Sequence, residues 1–327
     1  MALLRRRFLQ IASATLAAVP LCGVRAQAYP ARPVRVIVPV AAGGPVDVIT
    51  RLITQQLAER WGGQFHVENV PAGAGNVATG QLAKAPADGL TVAAVTTAVV
   101  INPSLYANVS YDPVKDFAPI TLIGASPHVL VIHPALPVGN VKELIALVRG
   151  NAGKYSYASP GTGQSGQLAG EMFRLACDLD LAHVPFNGAA PAITSTMAGQ
   201  TQIAFMSLAA GAGSIREGQL RALAVTSGRR SEIFPDIPTM AEAGVADQES
   251  AFWQGMVLPA RTPADLVQRW HRDVVEIIAR PELTQRLHAM SFEVVANSPD
   301  EFAARISAEI PRWRRVIEGA RVKKLND

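Results

Sequence analysis

Short apolar runs alternate with stretches of helical periodicity along nearly the whole chain, and this alternation most constrains the fold. Residues 34–38 form one apolar run, which is followed by Gly43-Gly44-Pro45 and then by apolar residues at every third or fourth position. Such repeated alternation predicts an α/β protein in which helices cover both faces of parallel-rich sheets. Further strands are predicted at residues 90–95, 120–124, 129–133, 155–159, 182–186, 202–206 and 222–226.

The C-terminal part of the chain is predicted to be helical. Thr262-Pro263 precedes a stretch with one apolar stripe, and Ser298 to Glu301 has the sequence of a capping box. Pro311 lies inside this second helical pattern and is predicted to kink the helix or to end it early, because proline lacks the N–H that a helix interior uses. The total of 327 residues suits two domains.

Residues 1–28 have the organisation of a cleaved signal peptide. Arg5-Arg6-Arg7 precede an apolar segment that is shorter than the roughly 20 residues of a membrane-spanning helix, and Ala26-Gln27-Ala28 fits a cleavage site. We therefore expect a periplasmic protein, exported by either the general or the twin-arginine route. Without the four arginines of this leader the chain has 26 basic and 26 acidic residues, and this balance argues against nucleic acid as a partner.

Motifs of enzymes and metal sites are weak or incomplete. The six histidines show no paired metal-ligand spacing, and Cys177, the one cysteine outside the leader, is predicted to be a core residue. Gly161, Gly163 and Gly166 match a dinucleotide-binding pattern, but the next predicted strand, residues 182–186, is followed by Asn187 instead of an acidic residue. We therefore predict no metal, no cofactor and no enzymatic activity.

Two loops of similar design are the candidates for a binding site. Residues 39–45 and 159–166 each follow a predicted strand, are rich in glycine and proline, and open a helix. The free N–H groups of a helix start bind anions, so two such loops facing each other would hold a carboxylate without Lys or Arg. They are also compatible with ordinary tight turns. Asp47 follows the first loop, where its charge either favours the helix dipole or accepts a hydrogen bond from a ligand.

Ordered sequence markers extend from Tyr29 almost to the C-terminus. They include YPARPVRVIVPVAAGGPVDVITRL, VENVPAGAGN, YDPVKDFAPITLIG, KYSYASPGTG, HVPFNGAAPA and FPDIPTMAEAG. By these markers the chain resembles the Bug, or TctC-like, substrate-binding proteins of tripartite tricarboxylate transporters.

The resemblance implies a two-lobed periplasmic-binding-protein fold of the type II-like, Venus flytrap kind. Lobe 1 would comprise residues 29–125 and about 229–327, and lobe 2 residues 126–228, with hinges near residues 125–127 and after Thr226. A monomer of this kind would reversibly bind a small organic carboxylate and deliver it to membrane transporter subunits. Two alternatives stay open: a periplasmic sensory protein that presents its ligand to a signalling partner, and an exported hydrolase that uses Ser165, Asp47 or His183.

The resemblance also implies which residues bind the ligand. An acidic residue often stands in the family near Met206-Ser207, and its absence here makes an amino-acid ligand less expected. The implied set is Ala42, Gly43, Gly44, Asp47, Asn76, Thr96 and Thr97 in the first lobe, and Ser159, Gly161, Thr162, Gly163, Ser165, Phe186, Asn187, Met206 and Ser207 in the second.

Overall fold

The computed structural model describes residues 29–325, and the signal peptide predicted at residues 1–28 lies outside the described residues. No helix in the described part combines the length and the apolar character that crossing a membrane requires. The ten strands are β1 (Val34–Val38), β2 (Phe65–Asn69), β3 (Thr91–Thr96), β4 (Phe117–Ile132), β5 (Ser156–Ser159), β6 (Ala182–Pro185), β7 (Ile203–Ser207), β8 (Arg221–Val225), β9 (Ala251–Pro259) and β10 (Glu293–Val294) in this part of the chain.

Helices separate most of these strands, as the alternation of sequence patterns predicted. Within residues 29–325 they are α1 (Pro45–Trp61), α2 (Asn76–Ala83), α3 (Ala98–Leu105), α4 (Val141–Arg149), α5 (Ser165–Ala176), α6 (Ala189–Met197), α7 (Leu208–Arg216), α8 (Ala264–Ile278), α9 (Pro281–Ala289) and α10 (Pro299–Gly319).

The strands form two halves that share the long strand β4. In the first half β1 pairs in parallel with β2 and β3, and β9 joins β3 to β4 in antiparallel fashion. In the second half β5 pairs in parallel with β6 and β7, while β7 and β8 flank β4 in antiparallel fashion. The α/β prediction is confirmed, and each half has a parallel three-strand unit completed by antiparallel strands.

Strand β4 corrects the prediction of two separate strands at residues 120–124 and 129–133. It runs unbroken through Pro127, pairing with β9 up to Pro127 and with β7 and β8 from His128 onward. Proline lacks a backbone donor, but Pro127 falls where the ladder changes partners, so the strand continues. The lobe boundaries at residues 125 and 228 stay predictions, and this change of partners lies close to the first of them.

Each sheet is covered on both faces, which explains why its strands are almost continuously apolar. In the first half Ile53 of α1 and Trp270 of α8 belong to one buried cluster, and Phe302 and Trp313 of α10 belong to another. Cys177 is buried among apolar side chains of the second half, which confirms its assignment to the core.

Helix α10 corrects the prediction for Pro311. The capping box at Ser298 and Glu301 is present, but the helix continues through Pro311 to Gly319. Ile306 and Trp313, on either side of the proline, are buried in the core of the first half. Their packing outweighs the lost hydrogen bond and steric strain, which together cost about 3 kcal/mol in a helix.

Strand β9 was not predicted, although it lies in the middle of the first sheet. Its residues are mostly buried, and it separates β3 from β4. Because β9 returns to the first half after the second half is complete, it brings Phe252 to the space between the halves.

Candidate ligand-binding site

A cavity of about 730 Å³ lies between the two halves. The first half contributes the loop that follows β1 together with Phe252 and Phe292, whose rings meet edge to face at 6.0 Å. The second half contributes Pro160, residues 164–166 and residues 187–191. No Lys, Arg, Asp or Glu belongs to its lining within the described chain.

Four helices begin at this cavity, and three of them have no side-chain cap. The N-cap residues Gly44 of α1, Gln164 of α5 and Gly188 of α6 make no side-chain capping bond, whereas Ser207 of α7 accepts from the Ala210 N–H. The first N–H groups of a helix have no acceptor within the helix, and the helix dipole adds roughly half a positive charge there. The cavity is therefore electropositive without a basic side chain.

The loops before α1 and α5 close in the same way. Gly43 has φ +85° and its N–H donates to Asp47 Oδ2 at 2.9 Å; Gly163 has φ +76° and its N–H donates to Gln167 Oε1 at 2.6 Å. In both cases the acceptor lies four residues further on, in the first turn of the helix. A positive φ favours glycine, so this closure explains one glycine in each loop.

Asp47 is the centre of a buried network that shapes the first loop. Its carboxylate also accepts from Asn69 Nδ2 at 2.9 Å and from Arg51 Nε at 3.0 Å, and Asn69 Nδ2 donates in turn to the Val40 carbonyl at 3.0 Å. Burial alone would raise the pKa of Asp47, but the hydrogen bonds from Arg51, Gly43 and Asn69 outweigh it and hold this pKa below its usual value. Asp47 is thus an ionised support of the loop.

His128 lies at the floor of the cavity on β4. Its ring is almost completely buried, and burial lowers its pKa to about 4, so the imidazole is neutral at pH 7. The Nε2 atom lies 3.0 Å from Ser165 Oγ, and the Nδ1 atom lies 3.0 Å from Ser250 Oγ.

A second, narrow space adjoins the cavity at Gln164, Ser165 and Phe252. Its volume of about 10 Å³ holds no more than one water molecule. Thr97 Oγ1 there accepts from the Trp253 N–H at 3.0 Å, so this hydroxyl joins α3 to β9. Thr96, Thr97, Thr162 and Gly163 line this space.

The structure brings most of the predicted site residues together. Five of them line the large cavity: Ala42, Gly44, Ser165, Asn187 and Ser207. Four others form hydrogen bonds within the two loops and do not line the large cavity: Gly43, Asp47, Ser159 and Gly161. The Ser159 hydroxyl also contacts His183 Nε2 at 2.7 Å.

Three predicted residues point elsewhere. Asn76 Oδ1 accepts from Asn102 Nδ2 at 2.8 Å and from the Tyr111 hydroxyl at 3.3 Å, so Asn76 braces α2 against α3. Met206 is fully buried in the core of the second half, and Phe186 packs against the same cluster. None of the three lines the cavity.

Several cavity residues were missed by the sequence analysis. Gly188, Ala189, Ala190 and Pro191 follow the predicted Asn187 and complete a third glycine-containing stretch at a helix start, and its likeness to the other two loops could have revealed them. His128, Phe252 and Phe292 carry no local signal, because only the packing of distant segments places them here. Within the described chain, no group of His, Cys, Asp and Glu side chains is arranged to hold a metal ion.

The sequence model for the tripartite tricarboxylate transporter family receptor, TctC, matches residues 49–322. The chain belongs to this TctC family. BugT of Bordetella pertussis is 31% identical over 304 residues, which cover 92% of this chain and 93% of BugT. The resemblance seen in the sequence is therefore confirmed.

Solved structures agree with this assignment. Rpa4515 of R. palustris, solved with adipate, has a TM-score of 0.80 and 32% identity, covering 91% of this chain and all of the other. MatC of Rhodopseudomonas palustris, solved with malate, has a TM-score of 0.75 and 28% identity, covering 88% and 100%. The two-lobed periplasmic-binding fold is thus confirmed. The TctC family consists of solute-binding receptors, so the protein is a receptor and not an enzyme.

Proposed function

We propose that this protein is a periplasmic receptor that reversibly binds a small organic carboxylate and delivers it to a tripartite tricarboxylate transporter. The observation that carries the proposal is the meeting of three uncapped helix N-termini at one cavity without basic side chains. Backbone N–H groups donate to carboxylate oxygens, and the helix dipoles favour negative charge at that point.

The rest of the cavity selects the body of the ligand. Phe252, Phe292, Val46, Pro160 and Pro191 make the walls largely apolar. A carbon skeleton gains free energy from contact with such walls, at about 25 cal/mol per Å² of apolar surface removed from water. The preferred ligand therefore has an anionic end at the helix starts and an apolar skeleton against the two phenylalanines.

Two relatives support a carboxylate ligand for this chain. Rpa4515 was solved with adipate and MatC with malate, and both share the fold of this protein over nearly all of their length. The predicted leader at residues 1–28 supports export to the periplasm, where a receptor would meet its ligand. Release to transporter subunits requires that the halves separate again, which suits a hinge at β4.

A screen of carboxylates tests the ligand class. Mature protein, unfolded and refolded to remove co-purified ligand, is screened by thermal shift against adipate, malate and aromatic carboxylates, with the matching neutral amides as controls. A ligand that binds the native state raises the unfolding midpoint, so a carboxylate should raise it and its amide should not. Equal shifts from acid and amide would contradict the proposal.

A pair of isosteric variants locates the site. Asn187→Asp places a carboxylate on the cavity wall, where it would repel an anionic ligand, and Asn108→Asp makes the same change at an exposed position outside the cavity. We expect the first variant to weaken carboxylate binding at least about tenfold, which corresponds to about 1.4 kcal/mol, and the second to leave it unchanged. Delivery is tested separately by uptake of the identified carboxylate in a strain that lacks the gene.

A further inference from the structure

His128 joins the connections between the two halves to the ligand cavity. The backbone N–H of His128 donates to Thr226 Oγ1 at 2.9 Å, and the backbone carbonyl of His128 accepts from the Thr226 N–H, also at 2.9 Å. The Thr226 hydroxyl donates to the Ser250 carbonyl at 2.6 Å. Three chain segments, at His128, Thr226 and Ser250, therefore meet where the chain passes between the halves.

The imidazole continues this connection into the cavity. Ser165 is the first residue of α5, and it lines both the large cavity and the narrow space beside it. The ring lies between Ser250 Oγ and Ser165 Oγ, at 3.0 Å from each. In the described chain these two hydroxyls are the side-chain hydrogen-bond partners of the ring, and the backbone of Ser250 also forms a hydrogen bond with it.

We propose that His128 is a positioning residue of the ligand site, whose Nε2–H donates to Ser165 Oγ so that the Ser165 proton is free to be donated to a bound carboxylate. This inference rests on the proposed carboxylate site and adds His128 to the residues that determine how that site binds its ligand. Ser250 then donates its hydroxyl proton to Nδ1, and the three groups form one directed chain of hydrogen bonds toward the ligand.

The chemistry of the ligand determines this direction. A neutral imidazole has one N–H and one bare nitrogen, so it donates through one side and accepts through the other. A carboxylate has no proton to give, so Ser165 must donate to it and must accept from His128. The opposite tautomer would take the Ser165 proton and present oxygen lone pairs to an anion, which is repulsive.

Two substitutions at position 128 separate this role from a structural one. The amide nitrogen of Gln reaches about as far as Nε2 and can still donate to Ser165, whereas the shorter Asn reaches only the position of Nδ1. With adipate as the probe, we expect His128→Gln to bind within about threefold of the wild type and His128→Asn about tenfold more weakly, as for the loss of one hydrogen bond to a charged group. A merely structural role would weaken both variants alike.

Nuclear magnetic resonance of the ¹⁵N-histidine-labelled protein provides a second measurement that needs no ligand. Signals absent from His128→Gln identify His128, and their one-bond and two-bond couplings show which nitrogen carries the proton. We expect the Nε2–H tautomer with and without adipate.

The outcomes separate this inference from the proposed function. The Nδ1–H tautomer, or equal loss of adipate affinity in both variants, overturns the role of His128. If no carboxylate binds to the wild type but the tautomer is Nε2–H, the directed contact with Ser165 is upheld and the proposed function fails.

Discussion

The two loops that face each other across the cavity share one backbone design but differ in the chemistry that closes it. In the first loop an ionised group, Asp47, accepts from the Gly43 N–H, and Arg51 and Asn69 hold that carboxylate. In the second loop a neutral amide, Gln167, accepts from the Gly163 N–H, and the adjoining Ser165 contacts the neutral ring of His128. The loop of the first half is therefore held by a charged acceptor, and the loop of the second half by a neutral one.

This difference explains how an anion can be bound between them. The Asp47 charge is compensated by Arg51 and by the start of α1, so the first loop adds little negative potential to the cavity. The second loop adds no charge at all and leaves the first N–H groups of α5 free. The N–H groups of Gly43 and Gly163 already donate within their loops, and therefore the donors for a carboxylate are the helix starts that follow them.

The largest expected effect tests the two glycines against each other. A Cβ at Gly163 would overlap the side chain of Leu105 in the other half, whereas a Cβ at Gly43 would meet nothing within 4 Å. Both positions have positive φ, which costs about 1–2 kcal/mol for alanine, and overpacking adds about 1–3 kcal/mol at Gly163 only. We expect Gly163→Ala to lose more stability and to abolish ligand-induced thermal shifts, and Gly43→Ala to retain them.

Urea unfolding of both variants gives the free energies. Leu105→Ala in the Gly163→Ala background is the control, because it removes the group that the new methyl would overlap. If Leu105→Ala does not restore ligand binding to Gly163→Ala, the close approach of Leu105 is not the reason that position 163 is a glycine.

Acid should disturb the second loop before the first. The pKa of His128 is lowered by burial from 6.5 to about 4, so below pH 6.5 the unfolded chain takes up a proton that the folded protein does not. Stability is therefore lost as the pH falls from 6.5 to 4, by roughly 3 kcal/mol, and His128→Gln should lack this loss. The Asp47 carboxylate, with its pKa held below 3.8, should respond only at lower pH.

The measurement is the free energy of unfolding of wild type and His128→Gln at pH 7 and at pH 4. The difference between the two proteins should shift by about 3 kcal/mol between these conditions. A constant difference would mean that His128 takes up its proton at the same pH in the folded protein as in the unfolded chain.

Removing the acceptor from each loop should have a smaller effect, and a larger one in the first half. Asp47→Ala leaves the Gly43 N–H without its acceptor and removes one acceptor each from the Asn69 amide and from Arg51, at about 2 kcal/mol, while Gln167→Ala removes only the acceptor of the Gly163 N–H, at about 1 kcal/mol. Thermal unfolding of both variants checks this order. The reverse order would mean that the charged network is not the stronger support.

The smallest effect is expected for Arg51→Gln. About half of the Arg51 side chain is exposed, so its pair with Asp47 is screened by solvent and contributes less than about 1 kcal/mol. Gly43 and Asn69 still hold the carboxylate in this variant. If Arg51→Gln lost as much free energy of unfolding as Asp47→Ala, the ion pair between Arg51 and Asp47 would be the main interaction that stabilises the loop.

The sequence alone determined the features that depend on neighbouring residues. The strand-to-helix alternation, the two glycine loops and the capping box at Ser298 each need only residues a few positions apart, and each is present. Residues 39–45 and 159–166 could therefore be predicted to lead into helix starts, where unpaired N–H groups favour an anion.

Only the tertiary structure decided which residues complete the cavity. His128 lies between Ser165 and Ser250, which are 37 and 122 residues away in the chain, and Phe252 and Phe292 meet from separate segments. Likewise, helix α10 continues past Pro311 because Ile306 and Trp313 are buried in the core. Strand β4 continues past Pro127 because its hydrogen-bonded partner strands change there. Local propensity cannot report these outcomes, because the burial and pairing that override it are set by parts of the chain far away in sequence.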